Sequence, residues 1–339
     1  MKRAAAYKKS FFLIPAALLI FSFLYSCASR SEIKAEEFFS IGMAYYELGQ
    51  NMEKNREKYF AEAEKFLNRA RSMDKTMTAS DYNLGIIAFE TGRYEEAVRH
   101  FERILGKDSN NVMALKAAAY SRIKNGDLEK AEAYYVRVLE LVPESADDGY
   151  NYALVLYGLK KFERSEEILK KYPYALEENA ASILLFARAQ REQKKIEAID
   201  SYAKWVKTAP TPGAQGLYEY ARVLENSGLY AKALEQYSAA IKAIGADTAA
   251  LKKSSLMFEE ARLFLAADPG NAEGIVKLNA AVTEGFSDLE EIGNLLNDER
   301  ITNENKSEIR KIMDKILNKD KETENENNPE QEQAEEQND

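Results

Sequence analysis

From Glu36 to about Gly245 the apolar residues recur at the three- and four-residue spacing of one helix face, with no strand-like pattern among them. A longer period is laid over that spacing. A Gly or Ala eight residues into a first helix is followed by Gly near position 15, an aromatic residue or Leu at 17, Ala at 20, an aromatic residue or Leu at 24 and Pro near 32. Gly85, Gly92, Tyr94, Ala97 and Phe101 fill this frame, and Ala119, Gly126, Leu128, Ala131, Tyr135 and Pro143 fill it again 34 residues on. Ala153, Phe162 and Leu169 mark the next copy, Phe186, Ala198, Tyr202 and Pro210 follow at 33 residues, and Ala221, Gly228, Tyr230, Ala233 and Tyr237 at 35. An earlier copy supplies Gly42 and Gly49 and resumes at Phe60, Ala63 and Leu67 after about nine extra residues, 51–59. The frame predicts helix pairs that cannot bury their apolar faces alone, so that stacked neighbours supply the core.

Beyond Gly245 the register fades. The pattern predicts one helix over 248–267 and a second over 272–284 closed by Gly285, followed by degenerate final copies, the 246–319 region as a whole serving to close the array. From Thr302 a last amphipathic helix carries Ile309, Ile312, Met313, Ile316 and Leu317 on one stripe and is expected to cover the open end. Residues 320–339 hold nine acidic residues against Lys321 and almost nothing apolar, and are expected to be disordered.

At the other end Lys2, Arg3, Lys8 and Lys9 precede the apolar run Phe11 to Phe23, which is short for a membrane span, and Leu24, Tyr25, Ser26 and Cys27 follow. This resembles a bacterial lipoprotein signal peptide with its lipobox, and the resemblance implies removal of 1–26 and acylation of Cys27. Tyr25 stands where a small residue is usual, a departure that spirochaetes and Bacteroidetes tolerate. Residues 27–35 would form a short linker. Ala28 and Ser29 do not resemble an Asp retention signal, so attachment to the outer membrane, on its periplasmic face or surface-exposed, is the expected location.

The repeating frame resembles the tetratricopeptide repeat family, over about 36–245. The resemblance implies an all-α, right-handed superhelical solenoid of about six antiparallel helix pairs whose first helices line a concave groove. The family's groove positions, carried over residue by residue, select Tyr82, Asn83 and Phe89; Lys116 and Tyr120; Tyr150, Asn151 and Tyr157; Arg191; and Tyr218 and Arg222. Tyrosine offers contact area at low entropy cost, which suits a protein or peptide partner, and the amides of Asn83 and Asn151 suit a peptide backbone. The family's carboxylate clamp places Asn four residues after its Lys; Lys116 is followed there by Tyr120, so that clamp is not formed. Phe186 at a small-residue position and Trp205, where the family usually has Ala, are expected to compensate each other in the core.

Composition narrows the chemistry. With 47 Lys+Arg against 56 Asp+Glu the net charge of −9 argues against nucleic acid as a partner. One Cys and one His leave no Cys-rich zinc site and no imidazole pair, and neither a phosphate-binding Gly-rich loop nor a nucleophile elbow is present. The adjacent acids Glu95 and Glu96, Asp147 and Asp148, and Glu166 and Glu167 splay about 100° apart on a helix and read as solvated faces. His100, beside the Phe101 core position, reads as solvated or partly packed. No enzymatic activity, cofactor or metal is expected. The expected function is a membrane-anchored interaction scaffold of the bacterial envelope that holds a partner protein in its groove; the alternative is a ligand-binding or transport-accessory lipoprotein enclosing a hydrophobic small molecule.

Overall fold

A computed structural model describes the backbone of residues 13–245 and 251–327 and the side chains of 30–245 and 251–318. Every regular element among the described residues is helical. Two compact units meet in sequence at Lys161 and Phe162. The first contains α1 (Leu13–Asn51), α2 (Arg56–Met73), α3 (Thr78–Glu90), α4 (Tyr94–Leu105), α5 (Val112–Lys124), α6 (Leu128–Leu141) and α7 (Ala146–Gly158); a 3-10 turn, Glu53–Asn55, takes up part of the extra sequence after α1. The second contains α8 (Phe162–Lys170), the single turn α9 (Ala175–Glu178), α10 (Ala180–Glu192), α11 (Ala198–Thr208), α12 (Ala214–Asn226), α13 (Tyr230–Ala243), α14 (Lys253–Ala267), α15 (Ala272–Thr283), α16 (Leu289–Leu295) and α17 (Asn303–Asn327).

Small residues at position 8 let the two helices of a pair approach. A Cβ on Gly85 would lie 2.6 Å from Cε1 of Phe101, so α3 and the Phe101 ring share their space only because that atom is missing. Phe101 is fully enclosed and packs with Ala88, Ala97, Ala114 and Ala118, joining α3, α4 and α5 into one core. At the end of the second unit Phe258 stacks on Phe286 with centroids 4.2 Å apart, and α17 closes over that cluster with Ile309, Ile312 and Ile316. Of the stripe expected on this helix these three side chains are enclosed, while Leu317 is 44% exposed.

The turns inside the pairs keep a stricter period than the sequence suggested. Backbone with positive φ recurs every 34 residues, at Gly92, Gly126, Lys160, Lys194 and Gly228. At each, the next residue's N–H returns to the carbonyl five residues before it: Arg93 to Ala88, Asp127 to Arg122, Lys161 to Leu156, Lys195 to Gln190 and Leu229 to Leu224, at 2.8–3.0 Å. This is the bond that closes a helix with a left-handed residue, a place glycine fills without strain. Lys160 (φ 58°) and Lys194 (φ 57°) carry a Cβ there. Lys160→Gly and Lys194→Gly are each expected to raise the unfolding free energy by roughly 0.5–1 kcal/mol. Urea unfolding checks this, and a loss of stability at both sites would mean that the strain account is wrong.

Several expectations change on this frame. Because Lys194 keeps the 34-residue register, position 8 of the fifth pair is Ala187, fully buried, with Phe186 half-buried beside it. The 33-residue step arises in the turn, where the N–H groups of Ala198 and Ile199 donate to the carbonyls of Lys195 and Ile196 at 3.3 and 3.1 Å. Such i→i+3 bonds wind at 3.0 residues per turn and bring the next apolar stripe round one residue early. Phe186 therefore needs no compensation, and the partner of Trp205 is Gly216, above which its ring lies. The helix expected from Thr248 begins at Lys253, after an extended Lys252. The proposed linker 27–35 is helical within α1, and 320–327 continue α17, where Lys and Glu are good helix formers. Residues 1–12 and 328–339 and the side chain of Cys27 lie outside the described residues. Among the described residues no helix is long and apolar enough to cross a membrane.

Candidate functional site

In the first unit the first helices of the pairs touch along a band of aromatic and amide groups. Tyr46 on α1 donates to Glu90 of α3 at 2.8 Å, and Arg56 reaches the same carboxylate at 2.8 Å. Burial, together with Glu90, pushes the Tyr46 hydroxyl up to about 12, so it remains a donor at neutral pH. Phe89 sits between Tyr94, 5.4 Å away by ring centroids, and Tyr120 of α5, 5.1 Å away. The Lys124 ammonium lies 5.5 Å over the Tyr120 ring. Tyr120 is 47% exposed, and Met113 and Leu154, also on first helices, are 62% and 42% exposed. A partner laid here would meet a ready apolar surface.

Other groove candidates are partly committed already. Tyr82 is half-buried and stands edge-on to Phe101 at 5.7 Å, so much of its ring belongs to the core. The Asn83 amide donates to the Ala79 carbonyl at 2.9 Å within its own helix, which leaves one N–H and the oxygen for a partner. Lys116 places Nζ 2.7 Å from Oδ1 of Asp148 on α7. That pairing, and not the residue at Tyr120 alone, removes Lys116 as a free cation. Tyr150, Asn151 and Tyr157 are half-buried along α7.

In the second unit the nominated cations are likewise paired. Arg188 and Arg191 of α10 approach Glu219 of α12 at 2.7 and 3.3 Å, and Tyr202 donates to the same carboxylate at 3.2 Å. Burial would raise the pKa of Glu219, but the Arg188 hydrogen bond and charge outweigh it and hold it low. Arg222 lies 3.5 Å from Glu259, and Tyr218 packs on Tyr237 at 6.1 Å. An open cleft of about 850 Å³ lies beside Pro210, Pro212 and Leu217. It is a surface feature, whereas the small-molecule alternative requires an enclosed one.

Two acids expected on solvated faces, and His100, expected to be solvated or partly packed, are buried. Asp148, Glu166 and His100 are 1%, 3% and 6% exposed. Each meets a partner from another helix, which no spacing along its own helix reveals. Glu166 accepts from Lys170 and Lys195 at 2.7 Å each and from Gln193 at 2.8 Å. Burial alone would raise its pKa, but these donors hold it at about 2. A carboxylate whose folded pKa lies below the unfolded value near 4.5 contributes fully above about pH 4.5 and loses the contribution as pH falls toward 2. Glu166→Gln is therefore expected to cost about 1–2 kcal/mol at pH 7 and to flatten the acid limb of the stability curve. An unchanged acid limb in denaturant titrations would contradict this.

The tetratricopeptide repeat family model matches residues 40–112 and 116–181, and the chain carries such repeats there. An uncharacterized lipoprotein of Treponema pallidum (strain Nichols) is 24% identical over 160 residues, covering 47% of this chain and 77% of that protein. The CTR9 homolog of Arabidopsis thaliana is 24% identical over 253 residues, 60% of this chain, and the match spans 22% of that longer protein. Among solved structures, a tetratricopeptide repeat protein from Parabacteroides merdae ATCC 43184 superposes with a TM-score of 0.50 at 19% identity, covering 75% of this chain and 98% of that one. This likeness supports the all-α repeat fold. The matched model describes a repeat and not a catalytic domain.

Proposed function

We propose that this protein is a lipid-anchored interaction scaffold of a bacterial envelope that holds a segment of a partner protein on the first helices of its first unit. The observation that carries the reading is the half-exposed ladder Tyr94, Phe89 and Tyr120 with Lys124 above it, which crosses from one repeat to the next. Such rigid aromatic groups form the energetic centres of protein interfaces. Because Lys116 is spent on Asp148, the partner is held through apolar and aromatic contact and not through a terminal carboxylate. The anchor is supported by Cys27 at the end of the apolar run and by a relative named as a lipoprotein. Ala28 and Ser29 favour the outer membrane.

The test is affinity capture from envelope extracts with the wild type, Phe89→Ala, Tyr120→Ala and, as a control on an exposed second-helix residue, Glu167→Ala. Each aromatic truncation should weaken the specific partner by about 2 kcal/mol, near thirtyfold, at unchanged circular dichroism. Wild-type capture by both aromatic variants would move the partner surface elsewhere. In the same cells Cys27→Ala should lose fatty-acid labelling and membrane fractionation; label retained by that variant would remove the anchor from Cys27.

A further inference from the structure

Asp81, near the start of α3, is the enclosed centre of a cation cluster that the aromatic ladder does not use. Its side chain is 3% exposed, and its Oδ1 lies 3.2 Å from Arg71 and 3.5 Å from Arg103, with His100 Nδ1 at 3.3 Å and Lys107 at 4.0 Å from Oδ2. Other buried acids saturate their cations: Glu166 meets Lys170 and Lys195 at 2.7 Å, and Glu219 meets Arg188 at 2.7 Å. None of the cations at Asp81 comes that close, so one carboxylate is shared loosely among three positive side chains. Lys75 joins them on the wall of an open cleft of about 620 Å³ between α2, the turn after it and the end of α4. The nearby acids Asp74 and Asp108 are turned to their own loops, accepting from the N–H groups of Thr76 at 2.7 Å and Asn110 at 3.1 Å. Four cations thus line the cleft with one enclosed carboxylate, Lys107 also donating to the Lys75 carbonyl and Arg71 to Asn68 Oδ1 at 2.8 Å, in a chain whose net charge is −9.

We propose that this cleft is a binding site for a phosphoryl group, held by Arg71, Arg103, Lys75 and Lys107. Two guanidinium forks and two ammonium groups spread around the space match a tetrahedral dianion better than a flat, singly charged carboxylate. Asp81 acts as the resident competitor that keeps the cations gathered while the site is empty. The phosphoryl group is either that of a soluble phosphate ester or that of a lipid headgroup, which have the same recognition chemistry.

The experiment uses the full chain with inorganic phosphate, then glycerol 3-phosphate, then vesicles of phosphatidylglycerol in phosphatidylcholine against phosphatidylcholine alone. Phosphate should raise the thermal midpoint above that in chloride at equal ionic strength. Arg71→Gln and Arg103→Gln should each weaken phosphate binding by about tenfold or more. Asp81→Asn, which removes the competitor, should tighten it, an outcome that a purely structural ion cluster does not produce. Should these variants fold poorly, exposed Lys75→Gln weakens phosphate binding at unchanged stability. Capture on phosphatidylglycerol that phosphate displaces assigns the lipid headgroup, and binding of the soluble ester without vesicle capture assigns the soluble one; both support the site. Phosphate indistinguishable from chloride, wild-type affinity in Arg71→Gln, Arg103→Gln and Lys75→Gln, or a folded Asp81→Asn chain that binds no tighter would each overturn it.

Discussion

A chain cut after Ile301 should lose the cooperative unfolding of its C-terminal helices and aggregate, while a chain cut after Lys319 should melt almost as the full protein does. The difference lies in α17. Ile309, Ile312 and Ile316 are 0%, 4% and 5% exposed and close over Phe258, Leu278, Phe286 and Ile292. Burial of one such side chain contributes about 1.5–3 kcal/mol, so the three together bring roughly 5–9 kcal/mol of apolar stabilisation to that end. Their removal also leaves a contiguous apolar face on α14, α15 and α16, which invites association between copies. Residues after Lys319 carry mostly charge and amide groups in sequence. Thermal melting and light scattering separate the two truncations, and equal behaviour would deny α17 its covering role.

The second large effect concerns Trp205 and Gly216. Trp205 is 4% exposed within the cluster that joins α10, α11, α12 and α13. A Cβ on Gly216 would lie 2.4 Å from Cη2 of the indole and 2.8 and 2.9 Å from two further ring carbons. Trp205→Ala should cost about 3–5 kcal/mol through lost burial and a cavity. Gly216→Ala forces a rigid, enclosed ring to move at a cost of about 1–3 kcal/mol, set against about 1 kcal/mol gained in helix propensity. With Trp205→Leu in place the clash is gone, and the same Gly216→Ala should become neutral or stabilising. Denaturant unfolding of the four chains measures the coupling, and strict additivity would show that the ring and the glycine do not share space.

Much of the architecture was legible because its causes are local. Helix length, the small residues at position 8 and the turn glycines Gly92, Gly126 and Gly228 are set by contacts within a few residues, so they leave a period in the sequence. The candidate site was legible only as a set of positions. Phe89 and Tyr120 did meet across two first helices, but Tyr82 turned partly into the core, and Lys116 and Arg191 were already engaged by Asp148 and Glu219. The register of the fifth pair was misread at Phe186 because a tight i→i+3 turn shifts the apolar stripe without changing composition.

What the sequence determined by itself is the all-α repeat frame, the close of α15 at Gly285 and the apolar stripe of α17, since each depends on side chains within one helix and its cap. What only the tertiary structure decided is which polar groups are enclosed. Asp81, Asp148, Glu166, Glu219 and His100 look like ordinary surface residues in their own helices, and each is buried by a neighbour many residues away. Burying a charge is tolerated only when an opposite charge or donor arrives from another element. That arrival is a property of how helices stack, and no period along a single helix encodes it.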